Sequence, residues 1–199
     1  MLPIALLLLL VRWPESTPPP AIDEFHSQML RRFSDGRGFG MSRIVRWNTL
    51  GHHFSAQLGA KTDFAPENAE ERAIIDRWSR DGWQSGLYVF GASIKSEAAA
   101  TRFHRALKGP GVLHEATPRS ELPKWEEVYP VAAEAMHQFE LGATSHAAVV
   151  NGWTLHARPV AAAKETCAQC HNGGAARLDA AAKVKPGDVL GGVVYLFRR

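Results

Sequence analysis

The amino-acid sequence predicts an α+β domain: an antiparallel sheet in the C-terminal half with helices ahead of it. Three observations predict this class. Thr144–Val150 and Trp153–Val160 flank Asn151-Gly152, the pair preferred in a two-residue type I′ turn, so they read as a β-hairpin. Val189–Phe197 is apolar on both faces, as a strand covered on both sides must be. Upstream segments repeat apolar residues every three or four positions, the period of an amphipathic helix. The composition agrees. The chain has 199 residues, 45% hydrophobic and 22% charged, enough for one domain with its own core and too apolar for a disordered segment. A net charge of +3 is too weak for a nucleic-acid footprint, although a pI near 9.0 permits an acidic partner. Two cysteines exclude a disulfide scaffold.

Taken in order, Met1–Val11 is an apolar run shorter than a bilayer span and of the length of a signal h-region. No basic residue precedes it, and Ala21 is the only suggestion of a cleavage site. Pro14–Pro20 reads as a linker. Residues 1–21 are therefore taken as signal peptide and linker, and 22–199 as a single domain. Within it, 22–82 form a helical N-terminal part and 83–199 a sheet part. In the first part Phe25, Met29 and Phe33 recur at four-residue spacing, and the glycines of Asp35–Gly40 break that helix. They do not follow a strand, so they make a turn rather than a phosphate loop. A second helix from about Ser42 carries Val45, Leu50, Phe54 and Leu58. Pro66–Arg80 is a third helix, with acids Glu67, Glu70 and Glu71 at its start and Arg77 and Arg80 at its end. Those charges read as a solvated face.

In the second part Gly86–Ile94 is a strand, and Ser96–Lys108 a helix ended by Gly109-Pro110. Residues 111–129 are irregular, with a short helix around Trp125. Pro130 opens a helix to Leu141 with Ala132, Ala135, Met136 and Phe139 on one stripe. A two-residue turn pairs Val150 with Trp153, Ala148 with Leu155 and His146 with Ala157. One face of the hairpin is then His146, Ala148, Val150, Trp153, Leu155 and Ala157. The other holds Ser145, Ala147, Val149, Thr154, His156 and Arg158, and reads as polar. Pro186-Gly187-Asp188 turns the chain into the last strand.

Chemistry concentrates in Cys167-Ala-Gln-Cys170-His171, the C-x-x-C-H attachment signature of c-type haem. Two thiols three positions apart reach the two vinyl groups of one porphyrin, and the adjacent imidazole supplies an iron ligand. Chance would give this arrangement of two cysteines and a histidine roughly one time in two thousand. Three rival readings compete with it. A redox dithiol wants the motif opening a helix after a strand in a βαβ unit, whereas here it follows a hairpin. A zinc site needs four ligands, and Cys167, Cys170 and His171 supply three. A disulfide between neighbours this close has little to stabilise. An exported location fits as well, because bacterial haem attachment occurs outside the cytoplasmic membrane. The protein is accordingly expected in the periplasm, with membrane association through an uncleaved N-terminus as the variant.

With these residues in view, 144–197 resembles the bacterial single-haem c-type domain with a PAS-like fold, found alone or as the periplasmic input of sensors. The resemblance rests on Leu155-His-Ala-Arg-Pro-Val160, on Cys167-x-x-Cys-His171 and on Lys185-Pro-Gly-Asp-Val-Leu-Gly-Gly-Val-Val194. It implies one haem c bound through Cys167 and Cys170 and held against an antiparallel sheet, with His171 as proximal ligand. Several members of that family take their distal ligand from an N-terminal cysteine, which this chain lacks. Candidates are His146 on the apolar hairpin face, His52 or His53 on an N-terminal helix, and Met41, with a vacant site as the alternative. Met136 reads as core, and His26, His104, His114 and His137 as surface histidines. Arg158 is placed to pair with a haem propionate, since its guanidinium matches a carboxylate.

The reading that follows is an exported c-type cytochrome passing electrons to a redox partner protein. The alternative is a periplasmic haem-based redox or gas sensor. That needs a separate output protein, because no transmitter segment follows the last strand. No acid–base set suggests an enzyme such as a peroxidase.

Overall fold

Asn151 (φ 50°) and Gly152 (φ 77°) both adopt the left-handed backbone that a type I′ turn demands. That turn fixes the register of the sheet. Strands β3 (His146–Val150) and β4 (Trp153–Ala161) pair as Val150 with Trp153, Ala148 with Leu155 and His146 with Ala157, as the sequence predicts. The structure is a computed structural model and describes residues 17–34, 66, 68–91, 111–114, 117–168 and 183–199. The expected leader at 1–11, the glycine turn at 35–40 and the helices at 42–58 and 96–108 lie outside the described residues.

The sheet has five strands in the order β2-β1-β5-β4-β3, every neighbouring pair antiparallel. Here β1 is Gln84–Gly91, β2 is Gly111–Val112 and β5 is Val189–Arg198. The central place of β5 explains its composition. Both of its faces are buried, so neither alternate set of residues can be polar.

Among the described residues three α-helices cover the two faces and make an α+β domain. Helix α3 (Trp125–Glu140) lays Val128, Ala132, Ala135, Met136 and Phe139 on Tyr88, Phe90, Trp153, Leu155, Ala157, Val194 and Leu196. On the opposite face, α1 (Ile22–Ser34) contributes Ile22, Phe25 and Met29, and α2 (Ala69–Arg80) contributes Ile74, Ile75 and Trp78. These pack against Leu87, Val160, Val193, Tyr195 and Phe197. Trp78 stands edge-on to both Phe25 and Phe197, with ring centroids 5.0 Å apart in each case.

Three boundaries differ from the sequence reading. The expected short helix at Trp125 and the helix expected from Pro130 are one helix. Its start is set by Glu127, whose carboxylate reaches back to accept from the Lys124 amide at 2.7 Å. Pro130 falls in the second turn, where its missing N–H removes one bond from the ladder without ending the helix. Helix α2 begins after Asn68, whose side chain accepts from the Glu71 amide at 2.8 Å, so Pro66 precedes it. Glu71, expected on a solvated face, is fully buried. Strand β1 starts at Gln84 rather than Gly86, and the short β2 arises in a stretch read as irregular.

Candidate functional site

The haem signature belongs to an excursion from the sheet between β4 and β5. Its two ends are tied together. Ala161 pairs with Val189 across the ladder. The Ala162 amide donates to the Asp188 carbonyl, and the Gly187 amide donates to the Ala162 carbonyl, both at 2.9 Å. The Asp188 carboxylate accepts from the Lys185 amide at 2.7 Å, closing the Pro186-Gly187 turn. Gly187 sits at φ 94°, a conformation that a side chain would strain.

Cys167 lies in a single helical turn at 165–168, its amide bonded to the Lys164 carbonyl at 3.0 Å. It is half-buried and carries a free thiol. Cys170 and His171 lie outside the described residues, as do His52, His53, His104 and Met41. Among the described residues, no three His, Cys, Asp or Glu side chains converge on a metal-sized centre. No described helix is long and apolar enough to cross a membrane.

His146 and Arg158 are described, and they project to opposite faces of the sheet. His146 pairs with Ala157 and so shares the α3 face, where it is half-buried at the end of the edge strand. Arg158 pairs with Val193 and so shares the face covered by α1. Its Nε donates to the Asp23 carboxylate at the start of α1, 2.9 Å away, and its Nη1 donates to the Ala157 carbonyl at 3.2 Å. The Arg158 side chain is 12% exposed and that of Asp23 81%. A nearly buried guanidinium thus binds a carboxylate that is itself in water.

The same face carries two histidines that sequence reasoning misjudged. His26 was expected at the surface but is buried. Its Nδ1 accepts from the Tyr195 hydroxyl at 2.8 Å and its Nε2 donates to the Pro159 carbonyl at 3.1 Å. That carbonyl is available because β3 stops pairing at Ala157, so among the described residues the far part of β4 has no strand on that side. Burial pushes the His26 imidazole down to about 4, opposed by the bond to Pro159. His156, read as part of a polar face, is 3% exposed beside Tyr195 on the next strand. Burial, and then the Arg158 guanidinium, push it down to about 4 as well, so its ring is neutral near pH 7. Its Nε2 is buried and has no hydrogen-bond partner. An orphaned polar atom of this kind costs about 1–3 kcal/mol. The available signal was the apolar stripe of α1. Phe25 and Met29 need a covered sheet face to pack on, and the hairpin's second face is the one left for them.

His114 is half-buried, with Nδ1 3.2 Å from the Ser79 hydroxyl, and His137 is exposed. Met136 is fully buried under the sheet, as expected for a core residue.

No family model, curated protein or solved structure matches the chain.

Proposed function

We propose that the protein is an exported c-type cytochrome that carries one haem, joined through Cys167 and Cys170 with His171 as proximal iron ligand, and passes single electrons to a protein partner. The observation that carries the reading is Cys167-x-x-Cys170-His171 itself, which commits both cysteines of the chain to the one spacing that thioether attachment requires. The excursion that holds it supports the reading. Its base is closed by backbone bonds between Ala162, Gly187 and Asp188, while Cys167 is half-buried with no disulfide partner. The antiparallel sheet with a central last strand supports the finer PAS-like description.

Of the residues the reading calls on, Cys167 offers a sulfur with no disulfide partner, and Arg158 offers a carboxylate-binding fork that Asp23 occupies in this structure. A bound haem supplies reversible one-electron chemistry at iron. Arg158 would pair with a propionate in place of Asp23.

Intact-mass measurement of the matured protein tests the reading, together with its visible spectrum. The expected result is one haem mass above the polypeptide, retained after denaturation and lost from the Cys167→Ser, Cys170→Ser double variant. A colourless protein at polypeptide mass overturns it.

A further inference from the structure

Strand β3 is the outermost strand of the sheet, and among the described residues no other strand covers its outer side. The register fixes which backbone groups that side offers. A two-residue turn makes Val150 and Trp153 exchange hydrogen bonds, and bonding alternates along an antiparallel ladder. His146, Ala148 and Val150 therefore direct their N–H and C=O groups to β4, while Ala147 and Val149 aim theirs outward. Both of these residues are exposed. Of the described residues, the two exposed large hydrophobics both lie here, Leu141 just ahead of β3 at 70% and Val149 within it at 51%.

Natural sheets protect such edges with very short strands, bulges, prolines or charges. The opposite edge does so, since β2 has 2 residues. The outer side of β4 does so beyond Ala157, where it carries Pro159, whose carbonyl His26 takes. Strand β3 has none of these devices. Its ladder is regular, and Gly142–Gly152 contains no Asp, Glu, Lys or Arg in a chain that is 22% charged.

We propose that β3 pairs antiparallel with β3 of a second copy of this chain, about a two-fold axis at Ala148, so that two five-stranded sheets become one. Centring the strand on itself satisfies the outward groups. Ala147 of one copy exchanges both backbone hydrogen bonds with Val149 of the other, and the axis repeats the exchange. Ala148 meets its own copy in the non-hydrogen-bonded pair between them, and His146 stands across from Val150. The small Ala147 lies against the branched Val149, and no charge faces a like charge. The strand and Leu141 are far fewer than the roughly 20–30 residues per side of a standard interface, so the dimer is weak and reversible. The pairing is independent of haem and stands or falls without it.

The test uses the full chain, weighed intact so that its haem state is known, in sedimentation velocity from micromolar concentrations to about 1 mM, the weak end of ordinary affinities. Wild type is expected to pass from monomer to dimer over this range and to stop at dimer. Ala147→Pro removes an outward N–H and sets its ring against the incoming strand, while the bonds to β4 stay intact. Its circular dichroism should match wild type, and its dimer dissociation constant should rise by about tenfold or more, two hydrogen bonds being lost per dimer. Where that variant does not fold, Ala148→Cys decides. Its thiol lies on the axis, in a pair whose Cα atoms stand about 4.5 Å apart, so oxidation with diamide should give a disulfide dimer. Peptide masses should place the link at position 148 in both copies and tell it from any link through Cys167 or Cys170. Val149→Cys, off the axis, should not cross-link to its own copy. Wild type that stays monomeric to about 1 mM overturns the inference. So do assembly beyond the dimer, an Ala147→Pro dimer as strong as wild type, and cross-linking at position 149 in place of 148.

Discussion

Acid should destabilise this fold through His26, and the structure sets the size of the effect. The ring is held neutral by burial, near a pKa of about 4, whereas in the unfolded chain it titrates near its ordinary value of 6.5. Between these values the unfolded state binds the extra proton, so stability falls as the pH drops from about 6.5 to about 4 and is fully present above that window. For this shift, linkage gives a loss of about 2 kcal/mol between pH 8 and pH 5. The groups facing the ring are the Tyr195 hydroxyl, which donates to it, and the opposed charges of Asp23 and Arg158. The perturbation is His26→Gln, which keeps a polar side chain but removes the titration. At pH 8 the variant should be less stable by about 1 kcal/mol, the worth of one hydrogen bond. At pH 5 the order should reverse, because only wild type has lost the roughly 2 kcal/mol to protonation of its unfolded state. Urea unfolding at pH 8, 6.5 and 5, at fixed ionic strength and followed by tryptophan fluorescence, measures both curves. Carboxylates titrate in both proteins and cancel in the difference. If the two proteins lose stability in parallel between pH 6.5 and pH 5, His26 is not held neutral and the reasoning fails.

Gly191 approaches β1 so closely that a Cβ there would stand 2.0 Å from the Phe90 carbonyl oxygen, so Gly191→Ala should cost about 3 kcal/mol or more. The fall in urea midpoint checks it. Leu155 is fully buried between α3 and the sheet, and Leu155→Ala should cost about 2–5 kcal/mol by the same assay, with little change in far-ultraviolet circular dichroism.

What was legible in the sequence is what local chemistry decides. Asn151-Gly152 specifies a type I′ turn, the turn specifies pairing, and the whole register of β3 on β4 follows without tertiary information. The doubly apolar Val189–Phe197 likewise announces a central strand. Helix α3 was harder, since Pro130 resembles a first-turn proline and drew the start away from Trp125. The true signal was Glu127, three residues after Lys124. The histidines were the least legible. His156 alternates with Leu155 and Ala157 and so falls on the face with Thr154 and Arg158, which on a lone hairpin faces water. The docking of α1 and α2, brought from far upstream, buries that face. His26 gives no local sign that it will meet Tyr195 and Pro159. Sequence periodicity says which side chains share a face and is silent about what covers it.

The motifs flanking the cysteines separate on physical grounds from the cysteines themselves. Pro159 is tolerated within β4 because β3 no longer pairs there, and its carbonyl is taken by His26. Pro186-Gly187-Asp188 closes a turn and ties it to Ala162. Gly191 and Gly192 let β5 cross close to Phe90 and to the Arg158 carbonyl. Each of these residues has a structural reason to be where it is that makes no reference to a porphyrin. The resemblance in Arg-Pro and Pro-Gly-Asp-x-x-Gly-Gly is therefore evidence for how β4 and β5 are joined at the root of the excursion, and not a second witness for haem. That leaves Cys167, Cys170 and His171 as the residues on which the proposed haem depends, and it fixes what their loss should do. A chain lacking both thiols should keep the β4–β5 ladder and the closed root, and lose only colour and redox activity. A Cys167→Ser, Cys170→Ser protein whose unfolding midpoint falls no further than that of haem-free wild type bears this out. A collapse of the fold would mean that the cysteines hold the structure by some other means.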